Sequence, residues 1–330
     1  MDNDDLATLV ALTDLNGIGD KRALELFRAF GTGEALRASP QEAFVDFHYV
    51  DAATYQRLQE LTPAVKEYRE RFRQYRADGI DIIGIDDDRY PSPLRRNHTP
   101  LVLYTKGNVD RLTGPAVSVS GSRETNEAGQ TWVRNVAHEL ATDGYTVISG
   151  GARGVDTAAH EGALEATGAT VVVLGTGVNT PYPQENADLF DDIVDDGGLL
   201  LSHRPPDAEP TRYAFPNRNQ TISALSPGTV IVATDGSGGT MAQYETALKQ
   251  GRQVFIPDVG YGIRPDGGLE DLRAAESTTV VSSATTIQAE IADPFSGDNR
   301  KPAGKDSSIQ EDDQRSLDEW GADSSGTTYR

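Results

Sequence analysis

Tyr145-Thr146-Val147-Ile148 runs directly into Ser149-Gly150-Gly151-Ala152-Arg153-Gly154, and a helical stretch over 157–167 follows. An apolar run, a glycine turn and a helix in that order make half of a βαβ unit. The pattern recurs on both sides. Further apolar runs stand at Ala116–Val119, Thr170–Leu174, Leu199–Leu201, Thr229–Val232 and Val254–Ile256, most of them separated by helical stretches. Near-continuous Val, Ile and Leu runs are what a parallel sheet covered on both faces requires. The expected fold is therefore α/β, a doubly wound parallel sheet over residues 112–292.

Outside that region the pattern changes. Residues 1–76 read as a small helical domain. Its last helix opens at Thr62-Pro63 and carries Val65, Tyr68, Phe72 and Tyr75 as one apolar stripe. Arg69, Arg71, Arg73 and Arg76 in the same helix read as a solvated face. Residues 77–111 read as a strand extension of the sheet domain. Ile80–Ile83 and Leu101–Tyr104 are its strands, and Tyr90-Pro91-Ser92-Pro93 is a turn. Residues 293–330 are rich in Ser, Gly and Asp and read as a disordered acidic tail. No repeat is visible.

Composition excludes several classes of function. The 330 residues contain no cysteine, so disulfides, thiolate metal sites and cysteine nucleophiles are out. The histidines at 48, 98, 138, 160 and 203 never fall at ligand spacing on one helix face, so no structural metal site is expected. No apolar run approaches the ~18 residues of a membrane span, and Met1-Asp2-Asn3-Asp4-Asp5 is no signal peptide. A cytoplasmic protein with no membrane contact is expected. Acids outnumber bases 51 to 30, and they split into 32 Asp and 19 Glu against 24 Arg and 6 Lys. Asp over Glu together with Arg over Lys points to a salt-rich, halophilic cytoplasm. There the Debye length shrinks to ~3 Å at about 1 M salt, and the self-repulsion of a charge of −21 is tolerable. Net acidity therefore says little against a nucleic-acid ligand.

Every strand of a parallel sheet ends at the same edge, so the residues just after the strands should converge there. Those residues are Ser120-Gly121-Ser122-Arg123, Ser149–Gly154, Gly175-Thr176-Gly177, Ser202-His203-Arg204 and Thr234–Thr240. Glycine turns bring backbone amides close to an anion, and the helices behind them direct their N-termini at it. Gly121, Ser122, Arg123, Gly150, Gly151, Arg153, Gly154, Arg204, Ser237, Gly238, Gly239 and Thr240 are thus candidates for binding phosphate. The rival reading is that the glycines only make tight turns and the arginines only pair with carboxylates.

A second candidate lies near the N-terminus. Leu12–Leu24 has the form of a helix-hairpin-helix, with Gly17 and Gly19 in the hairpin and Lys21 and Arg22 beside it. Its amides and helix N-terminus suit a phosphate oxygen. A plain αα-hairpin is the alternative.

Other chemistries fail on spacing. Neither Gly121–Arg123 nor Gly175–Thr180 gives GxGxxG, and no GxxxxGK[ST] is present. No Ser/His/Asp set has the spacing of a catalytic triad, so no catalytic residue is nominated. Asp156 reads as the cap of the helix over 157–167, and His160 as a structural side chain of that helix.

Together these segments resemble the DNA-processing protein A (DprA/Smf) family. The matching strings are Tyr90-Pro91-x-x-Leu94, Pro100–Gly107, Gly121-Ser122-Arg123, Ser149–His160, Val172–Tyr182 with Pro183 and Asn186, Phe215-Pro216-x-Arg218-Asn219, and Ala247–Pro257. They keep the family's order over residues 80–258. The resemblance implies a Rossmann-like domain that binds single-stranded DNA and self-associates into dimers. It also implies a domain that passes the strand to a RecA-type recombinase during DNA uptake, or to a RadA-type one in an archaeal host, without catalysis or cofactor. It adds Phe215, Arg218 and Asn219 to the DNA-binding residues. Two features depart from the family. The doubled arginine of the Phe-Pro segment is reduced to Arg218, and the tail cannot form the winged helix that ends some members. The rival function is enzymatic. The related LOG phosphoribohydrolases carry a glutamate where Gln243 stands, and Glu245 comes two residues too late on the helix. A small-nucleotide sensor on the same fold is a third reading.

Overall fold

Each strand of the sheet runs into a turn and then, with few exceptions, into a helix. The computed structural model describes residues 1–97, 100–211 and 214–291. His98 and the tail expected from 293 onward lie outside the described residues. Among the described residues, five helices come first: α1 (Asn3–Thr13), α2 (Asp20–Phe30), α3 (Gly33–Ala38), α4 (Ala52–Gln59) and α5 (Thr62–Ala77). Then come β1 (Ile80–Gly84), the short α6 (Ser92–Asn97) in place of the expected simple turn, and β2 (Val102–Gly107). The alternating part is β3 (Ala116–Ser120), α7 (Glu127–Thr142), β4 (Thr146–Ser149), α8 (Val155–Ala166), β5 (Thr170–Val173), α9 (Ala187–Asp195), β6 (Leu199–Ser202) and α10 (Ala214–Ala224). It ends with β7 (Gly228–Ile231), α11 (Gly238–Lys249), β8 (Gln253–Pro257), α12 (Gly267–Arg273), β9 (Thr278–Val281) and α13 (Ala284–Glu290).

The nine strands form one sheet in the order β1-β2-β6-β5-β4-β3-β7-β8-β9. The strands from β6 through β9 in that order are parallel, and β1 and β2 close the β6 edge antiparallel, with Tyr104 opposite Ser202. The strand that sequence reading missed is β9. Its Thr278-Thr279-Val280-Val281 is half exposed at an edge, so it lacks the continuous apolar run of a central strand.

From β3 the chain moves outward through β4, β5 and β6, then returns to the other side of β3 as β7. The direction of winding reverses between β3 and β7, and open α/β sheets form their ligand crevice at such a switch point. Neighbouring residues supply opposite faces: Val147 enters the core under α7 and α8, whereas Ile148 enters the core on the other side. That second core runs on without a break into the helical region, where Leu9, Leu12 and Phe72 are fully buried with Ile82, Leu103 and Leu201.

In α5, Val65 and Phe72 are buried, while Tyr68 donates to Asp14 at 2.6 Å. Its arginines are not simply a solvated face. Arg71 and Arg73 pair along the helix with Glu67 and Glu70, but Arg69 reaches Asp4 at 3.1 Å and Arg76 reaches Asn3 at 2.7 Å. Two of the four therefore tie α5 to α1.

Candidate functional site

A cleft of about 450 Å³ opens at the switch point. Four chain segments build it. Ser120–Glu124 comes from the end of β3, Ala152 and Asp156 from the loop after β4 and the first turn of α8, Thr234–Thr240 from the turn after β7, and Phe215, Arg218 and Asn219 from α10. A narrower slot adjoins it, sharing Arg123, Ala152, Phe215 and Arg218 and adding Gly150 and Arg153.

The loops interlock. Ser122 N donates to the Ala233 carbonyl at 2.8 Å, which joins the loops after β3 and β7. A Cβ at Gly121 would lie 2.6 Å from Val155, so only glycine lets the first turn of α8 come this close. Gly154 has φ +77° and abuts the Ser122 and Arg123 carbonyls. Asn186, which precedes α9, donates to the Gly151 carbonyl and to Thr157, both at 2.9 Å, and so fixes the glycine turn from outside. Gly151 and Gly154 thus shape the loop, and neither lines the cleft or the slot.

The cleft offers an anion two kinds of partner. The first is the N-terminus of α11. Ser237 occupies the cap position, but its hydroxyl is turned to Asp235, and no side chain caps the helix. The amides of this end stay available beside Gly238, Gly239 and Thr240. The second is a set of guanidinium groups. Arg123 and Arg153 are exposed and, among the described residues, make no hydrogen bond or ion pair. Every other arginine with a described side chain, Arg218 apart, has such a partner. In a chain with this surplus of carboxylates, two unpaired arginines lining one slot are conspicuous.

Arg218 is different. It is buried, and its guanidinium lies directly over Gly150, where any Cβ would collide with it. Burial pulls its pKa down from the ordinary guanidinium value, and nearby Asp156 opposes that shift. Burial in turn pushes the Asp156 carboxyl up, against Arg218 and the amide of Ala152, which donates to it at 3.2 Å. Asp156 therefore does not cap the helix as expected. It sits inside the first turn of α8 and folds back on the glycine loop as the counter-charge to Arg218.

His160, one turn further along α8, is sealed in the core. Thr170 donates its hydroxyl proton to the Val147 carbonyl, so it can only accept from His160 Nδ1, at 2.7 Å. The imidazole is thus the neutral Nδ1–H tautomer, and burial pushes its pKa down to about 3. As pH falls below 6.5, an unfolded chain takes up a proton that the folded one refuses. Stability is then lost at about 1.4 kcal/mol per pH unit until about pH 3. Urea melts at pH 7 and pH 5 should therefore differ by about 2 kcal/mol, and His160→Gln should remove most of that difference. An equal loss in the variant would assign the acid sensitivity elsewhere.

Arg204 does not join the cleft. β6 lies three strands from β3, about 14 Å along the sheet. Arg204 instead donates to the Gly175 and Glu209 carbonyls at 3.1 and 2.7 Å. Of the five loops expected to converge, those after β5 and β6 contribute support and no residue of the main cleft. Gly175 backs the Phe215 ring. The main cleft also holds acids that sequence reading did not nominate, Glu124 and Asp235 at its rim and Asp156 beneath.

The helix-hairpin-helix shape is present, with Gly17 at φ +87° and Gly19 capping α2. Its arginine is engaged, however. Arg22 donates to the Gly17 carbonyl at 2.7 Å and stacks 4.7 Å from the Tyr49 ring centre. Lys21 alone of the pair is free of that brace, and it lines a separate groove with Arg28 and Arg95.

Comparison with known proteins places this geometry in context. The family model for DNA recombination-mediator protein A matches residues 81–291. Protein Smf of Escherichia coli is 38% identical over 175 residues, which is 53% of this chain and 47% of that protein. DNA processing protein DprA of Bacillus subtilis is 34% identical over 183 residues, 55% of this chain and 61% of the relative. The chain thus spans about half to three-fifths of these curated relatives. The solved structure of DNA processing protein A from Streptococcus pneumoniae aligns with a TM-score of 0.69 at 27% identity, over 88% of this chain and 99% of that one. The protein from Helicobacter pylori, whose structure addresses its single-stranded DNA binding mode, shares the fold at 24% identity and a TM-score of 0.56, over 63% of this chain and 93% of that one.

Proposed function

The chain belongs to the DNA recombination-mediator protein A family, a family of DNA-processing proteins, and from that membership we propose that it binds single-stranded DNA in the cleft between β3 and β7 and delivers the strand to a RecA- or RadA-type recombinase. The observation that carries the reading is the pair of unpartnered arginines, Arg123 and Arg153, lining one slot beside the uncapped N-terminus of α11. Two cations and open helix amides fit the phosphates of a backbone. Phe215 and Tyr182 beside them offer rings to the bases of an unpaired strand. Arg218 and Asn219 line the same cleft with Gly121 and Ser122, and Gly150 lines the slot.

A binding role without catalysis accords with the placement of the residues that an enzymatic relative would use. Gln243 is buried and donates to Ser223 at 2.6 Å, and Glu245 is exposed outside the cleft. A homodimer working in a salt-rich cytoplasm completes the reading. Among the described residues no helix is long and apolar enough to cross a membrane.

The test is an anisotropy titration with labelled oligo-dT and with AMP between about 0.2 M and 2 M KCl, with circular dichroism at each point. Oligo-dT should bind and AMP should neither compete nor release adenine. Affinity should stay flat or rise with salt, because screening relieves the long-range repulsion of 51 carboxylates faster than it weakens a few partly desolvated contacts. An ordinary basic site loses affinity with a log–log slope near −0.7 per phosphate on a single strand. A steep fall in a folded protein would overturn the salt-adapted reading, and release of adenine would favour the enzyme.

A further inference from the structure

The slot beside the cleft contains two residues that a phosphate does not need. One is Tyr182, 44% exposed, its ring centre 6.1 Å from that of Phe215. Phe215 is half-buried. Arg218 stands 6.0 Å from its centre, and a Cβ on Gly175 would lie only 3.0 Å from the ring. Tyr182 leans on this ring with much of its own open to solvent. The other is Glu185, also exposed, which lines the slot together with Arg123, Arg153 and Arg218. Among the described residues its carboxylate forms no ion pair with any of the three. A carboxylate has only acceptors to offer and repels phosphate, so a ligand that seats here must bring its own N–H donors.

We propose that this slot reads one base of the bound strand, with Tyr182 as the stacking surface and Glu185 as the acceptor, and that it selects guanine. The inference rests on the single-strand reading of the cleft. The choice of base follows from the placement of donors and acceptors. Guanine presents adjacent N–H donors at N1 and N2, which match the two oxygens of one carboxylate. Its O6 and N7 accept from a guanidinium. Arg123 and Arg153 in the same slot can supply that second contact. Adenine and cytosine offer a single amino group beside a ring acceptor, whose lone pair faces the carboxylate. Thymine places its one N–H between two carbonyl oxygens. Only guanine meets both charges of the slot without opposing acceptors. The aromatic ring adds stacking of any base and so supplies affinity without choice.

The experiment is a competition of four pentamers, dTTGTT, dTTATT, dTTCTT and dTTTTT, against a labelled 20-mer of thymidine. Pentamers are too short to slide the test base far from the slot. The guanine pentamer should compete about tenfold better than the thymine one, a difference of the size that one good bidentate base contact provides. Glu185→Gln should reduce that ratio to about twofold or less, because an amide offers one acceptor only. Tyr182→Ala should weaken all four pentamers by about tenfold while keeping their order. Equal competition by the four pentamers overturns base selection and leaves the single-strand reading standing. A guanine preference that survives Glu185→Gln overturns the role of Glu185. Failure of every pentamer to compete, while the 20-mer binds, overturns the slot as a base site. Failure of the 20-mer itself overturns the single-strand reading and the slot with it.

Discussion

Replacing Arg123 and Arg153 together by alanine should weaken oligo-dT binding by about two to four orders of magnitude. Each charge-assisted contact to a phosphate is worth about 1.5–3 kcal/mol, and two of them add if the sites act independently. The fold should not suffer, because neither side chain is buried and neither holds another residue. Removing two unpaired cations from an acidic chain also raises the repulsion felt by an approaching strand. The single variants should therefore show nearly equal losses. The measurement is anisotropy on each single and on the double variant, with thermal melts as a control. A double variant that melts like the parent and binds oligo-dT as tightly would remove the slot from the binding surface.

Gly150→Ala should cost about a hundredfold in binding and should also lower the melting temperature, because it parts the buried Arg218 from Asp156. Gly150 does not have a left-handed backbone, so alanine is tolerated by the chain itself. What it cannot share is space with the Arg218 guanidinium, which occupies the position of a Cβ. The side chain must swing away, and its charge then leaves both Asp156 and the cleft. The displaced guanidinium leaves the buried Asp156 carboxyl without its counter-charge, so the damage falls on folding as well as on binding. Arg218→Met in the parent is the companion variant. It should bind as poorly as Gly150→Ala, and adding Gly150→Ala to it should cost little more, because the two changes remove the same contact. Fully additive losses would mean that Gly150 acts on binding by some other route.

The sequence discloses the fold more readily than the site. The runs that form β3 to β8 are continuous and apolar because both faces of the sheet are covered, so β3 to β8 stand out locally. Strand order leaves no such local mark. Arg204 follows a strand just as Arg123 and Arg153 do, yet β6 lies three strands from the switch point and Arg204 directs its donors to carbonyls. Arg218 is legible only through a motif, since nothing in its neighbours says that it will be buried against Gly150, far earlier in the chain. Asp156 reads as a cap because an acidic residue at a helix start commonly is one. Its true partner, Arg218, is distant in the chain. Tyr182 and Glu185 lie in a string that carries the family resemblance, and only the folded loop turns them toward the slot. Arg22 beside its glycines looks free to meet phosphate, but the carbonyl of Gly17 lies within its reach and takes its donor.

The unbroken core between the helical region and the sheet sets a limit on how genes of this kind can be rearranged. Leu9, Leu12 and Phe72 have no closed interior of their own, and they complete the same interior as Ile82 and Leu103. A crossover at the turn between α5 and β1 would separate a pair of complementary apolar surfaces. Neither fragment would be accepted by a new neighbour unless that neighbour brought a matching face. The helical segment and the sheet of this chain should therefore each need a neighbour that supplies a matching apolar face. Variation between lineages should collect at the surface loops and at the far edge beyond β9, where an added segment meets no shared interior.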